Sequence, residues 1–227
     1  MSKLLVIDFA GTLIKQEVIQ EANKLRADVL NKTLPTSDEH AHEQQLYKNN
    51  QEALQAITGL DKNITATAIT LEEKTLSADE THNAIATTLF QLGLYEQANK
   101  QQTNIYTQGI LPALTKAKAA GYELAITSGV RTDIITGVLA ITNQQHLFTH
   151  VHGQPPQLGI SNESHLRVLA SKGTISYVLG DKQSDLTPAK KHAATTIHAA
   201  WGATTGDEEA DYTITDANQL IDLLQEN

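Results

Sequence analysis

Leu4-Leu5-Val6-Ile7 is an unbroken apolar run that stops at Asp8. A run without alternation suits a strand buried on both faces, as in a parallel sheet. Ala10-Gly11-Thr12 then reads as a tight turn. From about residue 15 to residue 104 the chain is polar, rich in Gln, Asn, Glu and Thr, and helical in period. One helix is predicted from about Glu17 to Leu34, with Val18, Ile19, Ala22, Leu25, Val29 and Leu30 on one face. Thr36-Ser37-Asp38 caps a second that runs to about Ile57, near Gly59. Further helices are expected over Ser77–Leu92 and Tyr95–Asn104, and no strand is expected in this stretch.

Beyond Tyr106 the pattern alternates. Helices are predicted at Ile110–Ala120, closed by Gly121, and at Arg131–Ile141, Glu163–Ser171, Leu186–Ala193 and Asn218–Gln225. Strands are predicted at Tyr122–Thr127, Phe148–His152, Thr174–Leu179, Thr195–Trp201 and Asp211–Thr215. Alternation of this kind implies an α/β fold with a doubly wound, mostly parallel sheet. Residues 1–14 and 105–227 are expected to form it, with 15–104 as a helical insertion.

Composition narrows the picture. The chain has 227 residues, enough for one core plus a smaller inserted domain. Its net charge of −9 disfavours general nucleic-acid binding, because an acidic surface repels a phosphate backbone. A small anion is still acceptable, since a metal ion and a few N–H groups can dominate a local field. The absence of cysteine excludes disulfides, thiol catalysis and Cys-ligated zinc. No segment approaches the roughly 18 apolar residues of a membrane helix, and the first apolar run is too short for a secretory signal. A cytoplasmic protein that does not enter a membrane is expected.

Candidate chemistry follows from the residues after the strands, because open α/β sheets place their sites outside the strands' carboxyl ends. Those residues are Asp8, Thr127 and Asp181, with Trp201-Gly202 after a later strand. One Asp after a strand is commonly a turn former or a helix cap. Two carboxylates and a hydroxyl at three strand ends make a coherent group. The carboxylates suit a hard cation such as Mg²⁺, and one of them could attack phosphorus.

These motifs resemble the haloacid dehalogenase-like superfamily. The segment from Leu4 through Asp8-Phe9-Ala10-Gly11-Thr12-Leu13 is similar to that family's first motif, a strand followed by Asp-x-Asp-Gly-Thr. Glu123-Leu124-Ala125-Ile126-Thr127-Ser128 resembles the second. Gly180-Asp181 with Asp185 resembles the fourth. The resemblance covers about residues 1–14 and 106–227, and the insertion sits where the family places a C1 cap. It implies that Asp8 is a nucleophile forming an aspartyl-phosphate. It implies that Asp8, the Ala10 carbonyl, Asp181 and Asp185 hold Mg²⁺. Thr127 and the Ser128 N–H would hold phosphoryl oxygens, and the cap would exclude water from a small phosphorylated metabolite.

Two positions depart from the family pattern. Ala10 stands where phosphatases of the family carry a second Asp, a general acid and base worth roughly 10²–10⁴-fold. The third motif expects Lys or Arg, but its region reads Leu158-Gly159-Ile160-Ser161-Asn162-Glu163. Asn162 is the residue at that place, here read as a phosphate contact. Arg131, Arg167 and Lys172 are cations whose positions the sequence does not fix. Ala10 also resembles phosphonoacetaldehyde hydrolases, which cleave a C–P bond through a cap lysine; Lys24, Lys32, Lys48 and Lys62 lie in the cap here. The expected function is Mg²⁺-dependent hydrolysis of the phosphatase type. The alternatives are C–P hydrolysis and non-catalytic binding of a phosphorylated ligand. His40 and His42 are not spaced to share a helix face. His150 and His152 alternate along one strand, and the sequence offers them no third metal ligand.

Overall fold

The computed structural model describes residues 2–30, 90–91, 93–154, 162–202 and 209–225. The chain divides into two compact units, Met1–Gln16 with Gln102–Asn227, and Glu17–Gln101. The expected helices from 36 to 57 and from 77 to 89 lie outside the described residues, as do Lys32, Lys48, Lys62, His40 and His42.

In the first unit, β1 (Lys3–Asp8) is joined by β2 (Tyr122–Arg131), β3 (Phe148–Gln154), β4 (Thr174–Gly180), β5 (Thr195–Ala199) and β6 (Tyr212–Ile214). They form one sheet in the order β3-β2-β1-β4-β5-β6, and every pairing is parallel. The continuous apolar run at residues 4–7 occupies a central strand, and all four side chains are fully buried. That is what burial on two faces requires of a parallel strand. Leu4 and Val6 join Leu166, Leu169, Val178 and Ala189 in one core cluster, so Leu5 and Ile7 serve the opposite face.

The helices of this unit are α2 (Ile110–Ala119), α3 (Thr132–Ile141), α4 (Asn162–Ala170), α5 (Gln183–Lys190) and α6 (Gln219–Gln225); α1 is named below with the second unit. α4 and α5 pack together against β2, β4 and β5, while α2 packs with α6 and against β2. Gly121 ends α2 with φ of +93°, the left-handed value a glycine C-cap supplies.

Strand order reverses between β1 and β4. Chain leaving β1 continues toward β2 and β3, whereas chain leaving β4 continues toward β5 and β6. The loops after these two strands therefore part, and the crevice lies between them. The chain segments entering and leaving the insertion lie side by side. Ile14 and Tyr106 form an antiparallel bridge, the Lys15 N–H donates to the Ile105 carbonyl and the Thr107 N–H to the Leu13 carbonyl.

Several boundaries differ from expectation. β2 runs four residues past Thr127, because β3 follows it closely there. The Gly153 N–H donates to Thr132 Oγ1, and a Cβ on Gly153 would lie 2.2 Å from the Val130 carbonyl oxygen. α5 starts three residues before the expected Leu186. Its start is set by Asp185, whose carboxylate accepts the Lys182 N–H (3.2 Å), rather than by the first apolar residue. β5 ends at Ala199, short of Trp201.

In the second unit, α1 spans Gln16–Leu30, with Val18, Ile19 and Ala22 buried. Residues 93–101 are helical, so Gly93 and Leu94 lie inside a helix rather than between two. Gly93 is small for a packing reason, since a Cβ there would lie 2.8 Å from the Ala22 backbone. Lys24 is exposed and donates to Glu21.

Candidate active site

Asp8 ends β1 and Asp181 follows β4, so the two carboxylates flank the crevice. Asp185, in the first turn of α5, is the third. All three side chains are buried, Asp181 completely. One carboxylate oxygen from each lies within 4.8 Å of the others. Asp8 Oδ2 is buried and has no hydrogen-bond partner among the described residues.

Three carboxylates packed this closely repel one another. Burial first, then Asp185 and Asp181, hold the Asp8 carboxyl well above its usual range, while Lys182 and the Phe9 N–H pull it down. Asp185 is pushed up to about 6 by burial and by Asp181, against the Lys182 N–H, the Lys182 charge and Asn162. An orphaned buried oxygen among three repelling carboxylates fits a hard cation with oxygen ligands, such as Mg²⁺.

The loop after β1 is tied back on itself and to its neighbours. The Leu13 N–H donates to the Asp8 carbonyl (3.2 Å) and the Ile14 N–H to the Phe9 carbonyl (2.8 Å). Ala10 bridges Ile14 within this turn. The Thr12 carbonyl accepts from Trp201 Nε1 (3.0 Å) and from Thr107 Oγ1 (2.9 Å), and Thr12 Oγ1 reaches Asp181 Oδ1 at 3.5 Å. Gly11, with φ of +98°, leaves no room for a Cβ, which would lie 2.5 Å from Asp181 Oδ2. Gly202 is closer still, at 2.2 Å between such a Cβ and that of Asp181. Glycines on two sides thus let backbone close around this carboxylate.

Thr127 is paired in register with Asp8 on the neighbouring strand and is buried. Ser128 follows it, also buried, and its Oγ accepts the Val130 N–H (3.1 Å). Asn162, at the start of α4, turns toward the acidic group: its Nδ2 donates to Asp185 Oδ1 (2.7 Å) and to the Ser184 carbonyl (3.3 Å). The second bond has a local cause. Pro188 lies inside α5 and has no N–H for the carbonyl four residues back, so Asn162 serves it instead. Arg131 is engaged by Asp133, and Lys172 lies near His152.

The sequence reading missed Lys182 and the parts played by Trp201 and Gly202. Lys182 Nζ lies 3.8 Å from Asp181 Oδ2, with its side chain half exposed. Its place directly after Gly180-Asp181 was the available signal. The indole N–H of Trp201 anchors the loop after β1.

Solved structures resemble this fold along nearly the whole chain. A predicted phosphoglycolate phosphatase from Haemophilus somnus 129PT is 19 % identical, with a TM-score of 0.63, over 99 % of this chain and 97 % of that one. A haloacid dehalogenase-like family protein, SP0104 from Streptococcus pneumoniae, is 15 % identical, with a TM-score of 0.62, over 99 % of each chain. A Bacillus subtilis protein assigned as the HAD-hydrolase YfnB and bound to magnesium is 12 % identical, with a TM-score of 0.60, over 98 % of each. No curated protein sequence matches. Residues 6–199 match the family described as haloacid dehalogenase-like hydrolase, and the chain belongs to that family.

Proposed function

We propose that this hydrolase is a Mg²⁺-dependent phosphatase acting on a small phosphorylated metabolite through an aspartyl-phosphate at Asp8. The observation that carries this reading is the convergence of Asp8, Asp181 and Asp185 within 4.8 Å at the switch in strand order. Asp8, Asp181 and Asp185, with the Ala10 carbonyl, would hold the metal. When bound, Mg²⁺ neutralises charge on the carboxylates and on the transferring phosphoryl group. The resemblance to phosphatases and to a magnesium-bound structure supports the same assignment.

The chemistry of the chain itself is then simple. An Asp8 carboxylate oxygen forms a bond to phosphorus as the bond to the leaving oxygen breaks. Thr127 and the Ser128 N–H hold phosphoryl oxygens beside it. Ala10 cannot protonate the leaving oxygen, so that proton comes from water. A water then attacks the aspartyl-phosphate at phosphorus, releasing inorganic phosphate and restoring Asp8. Substrate selection we assign to residues 15–104 as the cap. The acidic composition and the absence of a long apolar segment support a cytoplasmic protein without nucleic-acid partners.

Phosphate release from p-nitrophenyl phosphate and a metabolite panel, with Mg²⁺ and with EDTA, tests the reading beside Asp8→Asn. Release that requires both Mg²⁺ and Asp8 is the expected result. Release that survives Asp8→Asn sinks it. Ala10 supports a second reading, C–P hydrolysis through a cap lysine; borohydride trapping of a phosphonate aldehyde on the protein would favour that instead.

A further inference from the structure

Three carboxylates and one divalent cation leave a negative remainder, and a phosphoryl dianion approaching them meets repulsion. Some additional fixed positive charge must face the incoming group. Asn162 offers none: it is neutral, and its amide is spent on Asp185 and on the Ser184 carbonyl.

Several cations of the first unit are engaged away from the acidic group. Arg131 forks onto Asp133. Lys191 donates to Glu163 at 2.8 Å, and Lys190 lies 3.7 Å from Glu209. Lys118 donates to the His146 and Leu147 carbonyls. Lys172 lies near His152. Lys182 differs in its partner, the fully buried Asp181 of the acidic group. Its Nζ stands 3.8 Å from Asp181 Oδ2, within ion-pair range but too long for a committed hydrogen bond. The side chain is 51 % exposed, so the amine can still move. Its backbone is fixed, because the Lys182 N–H donates to Asp185 Oδ2 as α5 begins.

We propose that the Lys182 ammonium is the phosphate-binding cation of this site, turning from Asp181 to a phosphoryl oxygen when substrate enters. The inference rests on the phosphatase reading above. A lysine suits the task as a compact charge on a flexible stem, able to follow the phosphoryl group.

Calorimetric binding of inorganic phosphate to the Mg²⁺-loaded protein tests this, alongside Mg²⁺ binding without phosphate and p-nitrophenyl phosphate kinetics. Lys182→Met is expected to weaken phosphate binding on the order of 10- to 100-fold and to raise KM. Mg²⁺ binding in the absence of phosphate should hold or tighten, since a competing cation has gone. Lys182→Arg should recover most of the phosphate affinity. Lys182→Gln keeps the backbone donor that starts α5 and stands in should Lys182→Met fold poorly. Wild-type phosphate affinity in Lys182→Met or Lys182→Gln overturns the proposal and leaves the phosphatase reading intact. A wild-type protein that binds Mg²⁺ but no phosphate overturns both.

Discussion

Two groups of titratable side chains sit on one sheet, each built from three residues of a single type. Asp8, Asp181 and Asp185 meet at the carboxyl ends of β1 and β4, and His150, His152 and His165 line up on β3 and α4. Thr127 separates them, paired in register with Asp8 on one side and His152 on the other. The aspartates converge, with ligand oxygens within 4.8 Å of one another. The histidines form a row: His150 and His152 have ring centres 6.4 Å apart, and His152 and His165 6.2 Å. The reason is backbone geometry. Residues two apart on a strand stand roughly 6.5 Å apart and project in parallel, so their tips keep that spacing. Residues at strand ends project from diverging loops and can aim at one point. Buried ring nitrogens without partners among the described residues, as at His165, therefore do not make a metal centre, whereas the Asp8 carboxylate lies where two others meet.

The sharpest way to break this comparison is to remove one member from each group. Asp181→Asn should lower Mg²⁺-dependent phosphate release by about 10³-fold or more, through loss of charge stabilisation. His152→Gln should leave kcat within about twofold. Mg²⁺ in large excess over its Kd should raise the melting temperature of the wild-type protein by several degrees, on the scale of about 2–3 kcal/mol. Asp181→Asn should lose that shift and His152→Gln keep it. Equal losses of activity in the two variants would place both groups in the site.

A second pair of variants adds a methyl group beside each group. A Cβ at Gly202 meets the Cβ of Asp181 at 2.2 Å, and one at Gly153 meets the Val130 carbonyl oxygen at the same distance. Each should destabilise the protein by about 1–3 kcal/mol, because a packed region must shift. They should differ in activity per folded molecule. Gly202→Ala moves the Asp181 carboxylate, which the proposed function assigns to the metal, and should raise the Mg²⁺ concentration needed for turnover; Gly153→Ala should not. Denaturation curves with Mg²⁺ titrations of activity check both.

What the sequence made legible follows the same division. Apolar runs at residues 4–7 and 177–179 announce buried parallel strands, and Asp8 and Gly180-Asp181 after them mark the sheet's carboxyl edge. Asp8, Thr127 and Asp181 could be found that way because strand geometry is local. Contacts that depend on where distant segments meet could not. Asn162 was read as a phosphate contact, yet its amide lies on Asp185, drawn there partly by the carbonyl that Pro188 leaves open. Lys182 carries no signal in the sequence beyond its place after Asp181, and only the folded chain sets its amine beside that carboxylate. Gly202 and Gly93 each make room for backbone or a side chain far away in sequence, which no local pattern announces. His165 joined the other histidines only through the packing of α4 on the sheet.

The smallest expected effect separates the two groups by sign. In EDTA, the folded protein holds the Asp8 proton above its ordinary value of 3.8, through burial and the neighbouring carboxylates. Folding stability from this group is thus fully present at low pH and is lost as pH rises from 3.8 through the raised folded value. His152 and His165 are both lowered from 6.5, mainly by burial and then by a neighbouring histidine. Their contribution is fully present above 6.5 and is lost as pH falls from there through the lowered folded values. Thermal melts in EDTA at pH 5 and 7.5 measure both. Asp8→Asn should gain more over the wild type at pH 7.5 than at pH 5. The double substitution His152→Gln, His165→Gln should show its more favourable difference at pH 5. Comparing each variant with the wild type across pH cancels the cost of the substitution itself, so the opposite slopes remain readable even where both variants melt earlier. Slopes of the same sign would mean that one group does not carry the charge state its surroundings dictate.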